Sequence, residues 1–471
     1  MMLQKKHILT TILFSAVALE PSFAEDSVAT PADQQPVTTE QTASIQVEQQ
    51  ANLEKLQQVT QGIKLVFPEK LAEIYAARNF APIWQDEKAK QLFLRDYALL
   101  GLTNISKDVK EQLAQLKQLD SNSLAADILI TDSWLNYLNY AENVSSNAQN
   151  WLYDSYRYSA KLPKDELISA WLAAVAQQQL FAFVEKYNQP NQRYIHTAQA
   201  VVAGLQQQTL DNATLAKLAI NLQRLRFIPD FHTGIFVNIP TYHLHYYRDG
   251  KEVLDSRVIV GKQARKTPVM TSKLSNIVVN PPWNAPVRLI NEDLIPKVRK
   301  DPSYIYRNGY TIIDSKGNTI DPYTIDWDNM TAKRFPYRLR QAPGGDSALG
   351  NFKFNMPSSD AIYLHDTPNH RLFNNKNRAI SSGCVRVNKS DELATLLLTE
   401  SGWTVEKKAQ VLKSRKTTSV RIQSDNPVYL YYVTAWVDAQ GQMHTVADIY
   451  GYDKNLTLDD TTKTLLQQYL L

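Results

Sequence analysis

The spacing of apolar residues changes once along this chain, and the change limits the folds open to it. From Leu53 to about Gln223 apolar side chains recur every three to four positions, as in Leu71, Ile74 and Tyr75 and again in Ile168, Trp171, Leu172 and Val175, the period of one helix face. After Pro229 the period shortens to two. Ile235–Ile239 and Tyr242–Tyr247 lead through Arg248-Asp249-Gly250 into Val253–Val260, two β-type runs about an Asp-Gly turn, which reads as a hairpin. Further β-type runs follow at Asn276–Asn280, Tyr310–Ile313, Phe352–Phe354, Ile362–His365 and Val428–Val437. One helix can be placed among them, where Asn388 to Glu392 supply capping residues before Leu393–Leu398. With 471 residues the chain exceeds one ordinary domain, so the expected fold class is α+β and multidomain, a helical half followed by a mostly β half.

The N-terminus carries its own signals. Lys5 and Lys6, the apolar stretch Ile8–Leu19 and the small-x-small site Ser22-Phe23-Ala24 read as an export signal over residues 1–24, which would act as a membrane anchor if left uncleaved. No other run of eighteen or more apolar residues follows, so membrane contact is expected through that signal alone. Residues 25–52, rich in Gln, Thr, Ala and Pro, offer little to bury against the entropy of ordering and read as a disordered tether. A formal net charge of +4 without a concentrated Lys/Arg run argues against nucleic acid as a partner. Exported chains usually pair their cysteines, yet Cys384 is the only one here. A lone thiol in an oxidising compartment must be buried or used.

Its surroundings favour use. Tyr363-Leu-His365-Asp-Thr-Pro368 is followed by Ser381-Ser382-Gly383-Cys384-Val385-Arg386-Val387. Such a pair suits covalent acyl transfer: a neutral imidazole takes the thiol proton, the thiolate attacks a carbonyl, and the imidazolium protonates the departing amine. Gly383 permits a turn and close substrate approach, its amide and that of Cys384 are candidates to face an oxyanion, and Arg386 could hold a carboxylate or brace the loop. Pairing with His365 is expected to bring the thiol below its ordinary value of about 8.5. His370, near His365, Asp366 and Cys384, hints at zinc, but the spacing matches no standard site. His232, His243, His245 and His444 show no constellation. The turn-rich stretch Asp314–Gly350 has the length of a lid or binding loop.

The His365-Asp-Thr-Pro and Ser381-to-Val387 segments together resemble the catalytic signature of the L,D-transpeptidase family with the YkuD-type domain, in its large periplasmic branch. Thr267-Pro268, Asn280-Pro-Pro-Trp283-Asn284, Asp301-Pro302, Gln341-Ala-Pro-Gly344, Ala348-Leu-Gly350 and Thr434-Ala-Trp436 are similar to further elements of that branch, and Leu71–Trp84 to its helical scaffold. The resemblance implies a helical scaffold domain over residues 53–228, a β-sandwich-like catalytic domain over 229–455 with a capping loop at 314–350, and a C-terminal segment 456–471. The short stretch Tyr187–Ile228 leaves no room for a separate peptidoglycan-binding insert. Cys384 would be the nucleophile, His365 the general acid/base and Gly383 part of the oxyanion loop, with Tyr363, Arg386, Ser381, Ser382 and Trp283 lining the substrate site. The implied reaction joins peptidoglycan stem peptides in the periplasm, for cell-wall biogenesis and cell shape. It forms 3-3 cross-links through a thioester, with no metal or other cofactor, in company with other cell-wall synthases, and carbapenems would acylate the same thiol. Ser382 and Ser347 stand where much of the wider family has His and Asn. Two other functions share these residues or the helical half: a thiol-dependent L,D-carboxypeptidase and a non-catalytic wall-binding scaffold.

Overall fold

Two buried carboxylates on one helix organise the helical half. Helix Leu124–Asn143 starts on a Ser123 cap and is buried on almost every side. Its Asp127 accepts hydrogen bonds from the Ile83 and Trp84 amides at 2.9 and 2.8 Å and from the Tyr75 hydroxyl at 2.5 Å. One turn on, Asp132 accepts from the Val66 and Phe67 amides at 2.8 and 2.9 Å. Both acids thus hold the entering chain against the helix, and around them Trp84, Phe93, Trp134 and Trp171 pack with ring centroids 5.2–6.5 Å apart. Burial lifts the Asp132 carboxyl to about 6 against the pull of those amides.

The computed structural model describes residues 39–154, 157–331, 334–454 and 456–470; the export signal expected over 1–24 lies outside them. The chain divides into the compact units Met1–Ala51 and Asn52–Leu471. The tether expected over 25–52 is helical from Thr39, in the helix Thr39–Val59. Gln, Glu and Ala dominate there, and a shortage of apolar residues removes packing partners without removing the backbone preference of such residues for helix.

In the second unit the helical and β halves share one core, running from Leu56 to Leu470. Arg224 is wholly buried at the junction, with Nη1 2.6 Å from Asp453 Oδ1 and Nη2 donating to the Tyr452 carbonyl at 3.1 Å. The segment expected over 456–471 forms the helix Asp460–Leu470, which returns to the helical half: Tyr469 donates to the Leu113 carbonyl at 2.8 Å, and a Cβ at Gly101 would sit 3.0 Å from Leu466.

Most strands of the β half form one long, curled sheet. Its strand order is Thr418–Arg421, Asn276–Val279, Phe352–Asn355, Leu364–His365, Val385–Val387, Lys251–Gly261, His243–Arg248, Gly234–Asn238, Pro427–Tyr431, Met270–Lys273, with Ala379–Ser381 also pairing to Lys251–Gly261. The Asp-Gly hairpin forms as expected, with Asp249 and Gly250 at φ +48° and +74°.

Residues 314–350, expected as a capping loop, belong to an element that begins at Trp283 and has its own sheet, Trp283–Asn284, Arg338–Gln341, Tyr310–Ile313 and Thr319–Ile320, over a separate core of Ile290, Leu294, Val298, Ile312, Trp327 and Leu339. Strands of two to four residues leave too short an alternation to stand out among Pro, Gly and Asp.

Replacing Asp127 by Ala strands three buried donors, of which only Tyr75 has a second partner, the Thr131 hydroxyl at 2.7 Å. At about 1–3 kcal/mol for each unsatisfied group, Asp127→Ala is expected to cost roughly 3 kcal/mol in urea denaturation followed by circular dichroism. A change within about 0.5 kcal/mol, the range of an ordinary surface substitution, would show that these bonds do not hold the fold.

Candidate active site

Two short parallel strands bring the sequence window together. Leu364–His365 pairs with Val385–Val387 so that Leu364 faces Val385 and His365 faces Arg386; on the other side Lys353 of Phe352–Asn355 faces His365. Alternation does the rest. Phe354, Leu364 and Val385 point into the core, which leaves Lys353, His365 and Arg386 in a row on the opposite face. The Val385 amide donates to the Tyr363 carbonyl at 3.2 Å, putting Tyr363 beside Cys384 one step back in the same register. Cys384 and His365 are therefore diagonal neighbours on one face.

The His365 Nδ1–H donates to the Asp366 carbonyl at 2.5 Å, leaving Nε2 as the acceptor nitrogen. Burial first, then the charge of Arg386 and finally that of Lys353 press its pKa down to about 3, against the Asp366 carbonyl. The thiol donates to the Ala361 carbonyl at 3.8 Å rather than to the imidazole. Burial pushes Cys384 above the ordinary thiol value; the Tyr363 amide and hydroxyl, Lys353 and Arg386 all pull the other way without overcoming it. This corrects the expected depression: a half-buried sulfur loses more hydration than its neighbours return. The resting pair is a neutral thiol and a neutral imidazole.

Asp366 is the brace beneath. Its Oδ2 accepts from the Asn351 amide and its Oδ1 from Ser390, both at 2.8 Å, while His370 Nε2 lies 3.2 Å from Oδ1. His370 is thus the partner of Asp366. Gly350, at φ +58°, passes so close that any Cβ would collide with the Asp366 carboxylate.

The loop before Cys384 is held from within. Gly383 sits at φ +123°, its carbonyl accepting from Thr267 Oγ1 at 2.7 Å. Ser381 Oγ donates to the Cys384 carbonyl at 2.6 Å and accepts the Gly383 amide at 3.1 Å. Two expectations change here. Ser381 is buried and braces the turn instead of lining the groove, and the Gly383 amide is committed to that hydroxyl. Trp283, at the root of the cap, hydrogen-bonds the Tyr363 hydroxyl, which also bonds the thiol.

Two residues were missed by the sequence reading. Lys353 stands 4.2 Å over the Tyr363 ring and beside the thiol; only strand pairing reveals it. Arg265 joins the segment Ile290–Leu294 to the loop before Cys384: Nη1 is 2.6 Å from Asp293 Oδ2 and 2.9 Å from Ser382 Oγ, and Nη2 meets Glu292. Glu292 and Asp293 lie on a π-helical turn, Ile290–Leu294, an irregularity frequent near functional sites.

Residues 232–422 match the model of the L,D-transpeptidase catalytic domain, YkuD, and residues 69–200 that of the Scaffold domain. A Haemophilus influenzae protein described as "Putative L,D-transpeptidase" is 54% identical over 408 residues, 86% of this chain and 83% of that one. Among solved structures, the catalytic domain of the E. faecium L,D-transpeptidase acylated by ertapenem aligns at 15% identity and a TM-score of 0.20, over 42% of this chain and 97% of that one. The Ldtfm–avibactam carbamoyl enzyme aligns at 13% identity and a TM-score of 0.20, over 42% and 48%.

Two outcomes follow from this geometry. The midpoint for iodoacetamide alkylation of Cys384 should lie above the ordinary thiol value and rise further in Lys353→Met, since that cation favours the thiolate; a midpoint near 7 would contradict the balance described. In Arg265→Gln, amide hydrogen exchange should accelerate through Ile290–Leu294, and unchanged exchange would mean that the cap does not depend on the Arg265 contacts.

Proposed function

This chain belongs to the L,D-transpeptidase family of cell-wall enzymes, and from that premise we propose that it forms 3-3 cross-links between peptidoglycan stem peptides through a thioester on Cys384. The observation that carries this reading is the row of Lys353, His365 and Arg386 beside the thiol, with Nε2 of the imidazole unoccupied by its own backbone.

The reaction begins with a donor tetrapeptide laid along the face below the cap. Cys384 Sγ turns from the Ala361 carbonyl, gives its proton to His365 Nε2 and attacks the diaminopimelate carbonyl that precedes the terminal D-Ala. With the Gly383 amide committed to Ser381, the Cys384 amide takes the developing oxyanion. As the tetrahedral adduct collapses, the imidazolium protonates the departing D-Ala amine and the carbonyl remains as a thioester. A side-chain amine from the diaminopimelate of a second stem then attacks, loses its proton to His365 and expels the thiolate.

Lys353 and Arg386 make an imidazolium costly in the resting site and a thiolate cheaper. Charge separation is therefore delayed until substrate is present, which limits oxidation of a half-buried sulfur. Arg386 Nε is buried without a partner, a cost the carboxylate of a stem peptide would relieve through charge-assisted hydrogen bonds. The cap, anchored by Trp283 and Arg265, excludes water and favours an amine acceptor over hydrolysis. The setting is the periplasm, reached through the export signal at residues 1–24, and a carbapenem, whose lactam carbonyl meets the same nucleophile, acylates Cys384.

Incubation with tetrapeptide muropeptides should yield dimers carrying a 3-3 bond by tandem mass spectrometry. Cys384→Ala should yield none, and His365→Ala should lower kcat by about 10²- to 10⁴-fold. The acylation rate should stay level from the depressed imidazole value of about 3 up to the raised thiol value, since the neutral thiol and neutral imidazole together are the reactive pair. Tripeptide monomers with no dimer would replace this reading with an L,D-carboxypeptidase.

A further inference from the structure

Among the described residues, one group of three metal-type ligands converges, and it lies outside the thiol site: His243, His245 and Asp255, whose donor atoms fall within 4.8 Å of one another. The hairpin builds it. His243 and His245 alternate along His243–Arg248 and so project from one face, while cross-strand pairing sets His245 opposite Asp255. A register shift between Tyr246 and Tyr247 brings Tyr247 opposite Glu252, and Glu252 Oε2 lies 3.1 Å from His245 Nδ1.

The distances suit a tetrahedral ion. Bonds of about 2.0–2.2 Å to nitrogen and carboxylate oxygen separate neighbouring donors by roughly 3.3–3.6 Å. Asp255 Oδ1 stands 2.9 Å from His243 Nδ1 and 3.7 Å from His245 Nδ1, which with the Glu252 contact brackets that spacing. The two rings are nearly parallel, at 22° and 6.0 Å between centroids. Tyr247 donates to Glu252 Oε2 at 2.9 Å, the kind of outer contact that orients a ligand carboxylate. All four ligand side chains are partly exposed, so an ion has a path in. Two imidazoles with two carboxylates favour a borderline transition metal over calcium or magnesium.

We propose that His243, His245, Asp255 and Glu252 form a zinc site on the hairpin. Asp255 lies four residues before Ile259, the cross-strand partner of Arg386. The same strand hands Ser256 Oγ to the Lys389 amide at 3.0 Å, so the ion fastens the strand on which the nucleophile segment hangs. Arg257, opposite His243, and Lys389, near Asp255, are the cations facing the site, and they hold its affinity below that of a closed structural zinc centre.

The test uses the full chain as Cys384→Ala, which removes thiol binding, with zinc chloride titrated by calorimetry and cobalt(II) read by visible absorption. One zinc per chain and a tetrahedral cobalt spectrum are expected. His243→Ala with His245→Ala should abolish both with circular dichroism unchanged, Asp255→Asn should do so without altering shape, and Tyr247→Phe should weaken binding about 10- to 100-fold. His444→Ala, which removes another carboxylate-bonded imidazole, should change nothing. Absence of stoichiometric zinc, or binding that survives the double variant, overturns the proposal.

Discussion

The parallel pairing of Leu364–His365 with Val385–Val387 is the constraint on which the site depends. Two residues of one strand and three of the other decide which side chains share a face, because a slip of one position exchanges the faces outright. Strands that short cannot hold register by themselves. The core-facing residues Leu364 and Val385 penalise a slip, Lys251–Gly261 offers a long template on the far side, and Asp366 ties the end of the first strand to Asn351 and Ser390.

Burial and charge then compete within that frame. Neutral forms of both the imidazole and the thiol gain from loss of water, and the two cations oppose protonation of the first while favouring ionisation of the second. Burial decides the sulfur. The outcome is a neutral thiol beside a neutral imidazole, a pair that carries no charge until something offers the charge somewhere to go.

The residues of the site that were legible in the sequence are those whose meaning is local. The change of apolar period at Pro229 separated helices from sheet, and the His365 and Cys384 segments announced acyl chemistry without any partner being known. Residues defined by a distant neighbour were not legible. Lys353 acquires its role from strand pairing, and Arg265 from a turn of the cap. Ser381 was expected to line the groove on the family resemblance alone, and its hydroxyl is instead engaged by the Cys384 carbonyl. The His243 and His245 pair showed no constellation because its carboxylate neighbours arrive across the hairpin, Asp255 opposite His245 and Glu252 opposite Tyr247 beyond the register shift. The separate core around Ile312 and Leu339 did not show in the sequence since the strands that assemble it are too short to display a period.

The closing helix, Asp460–Leu470, sets an order on assembly. Leu466 and Leu470 are buried against elements made some 350 residues earlier. A chain synthesised from its N-terminus therefore leaves the helical half with an uncovered strip until this helix has been made. Sheet and helices must close almost together, and a fragment cut anywhere before that helix retains a sticky seam instead of an independent module.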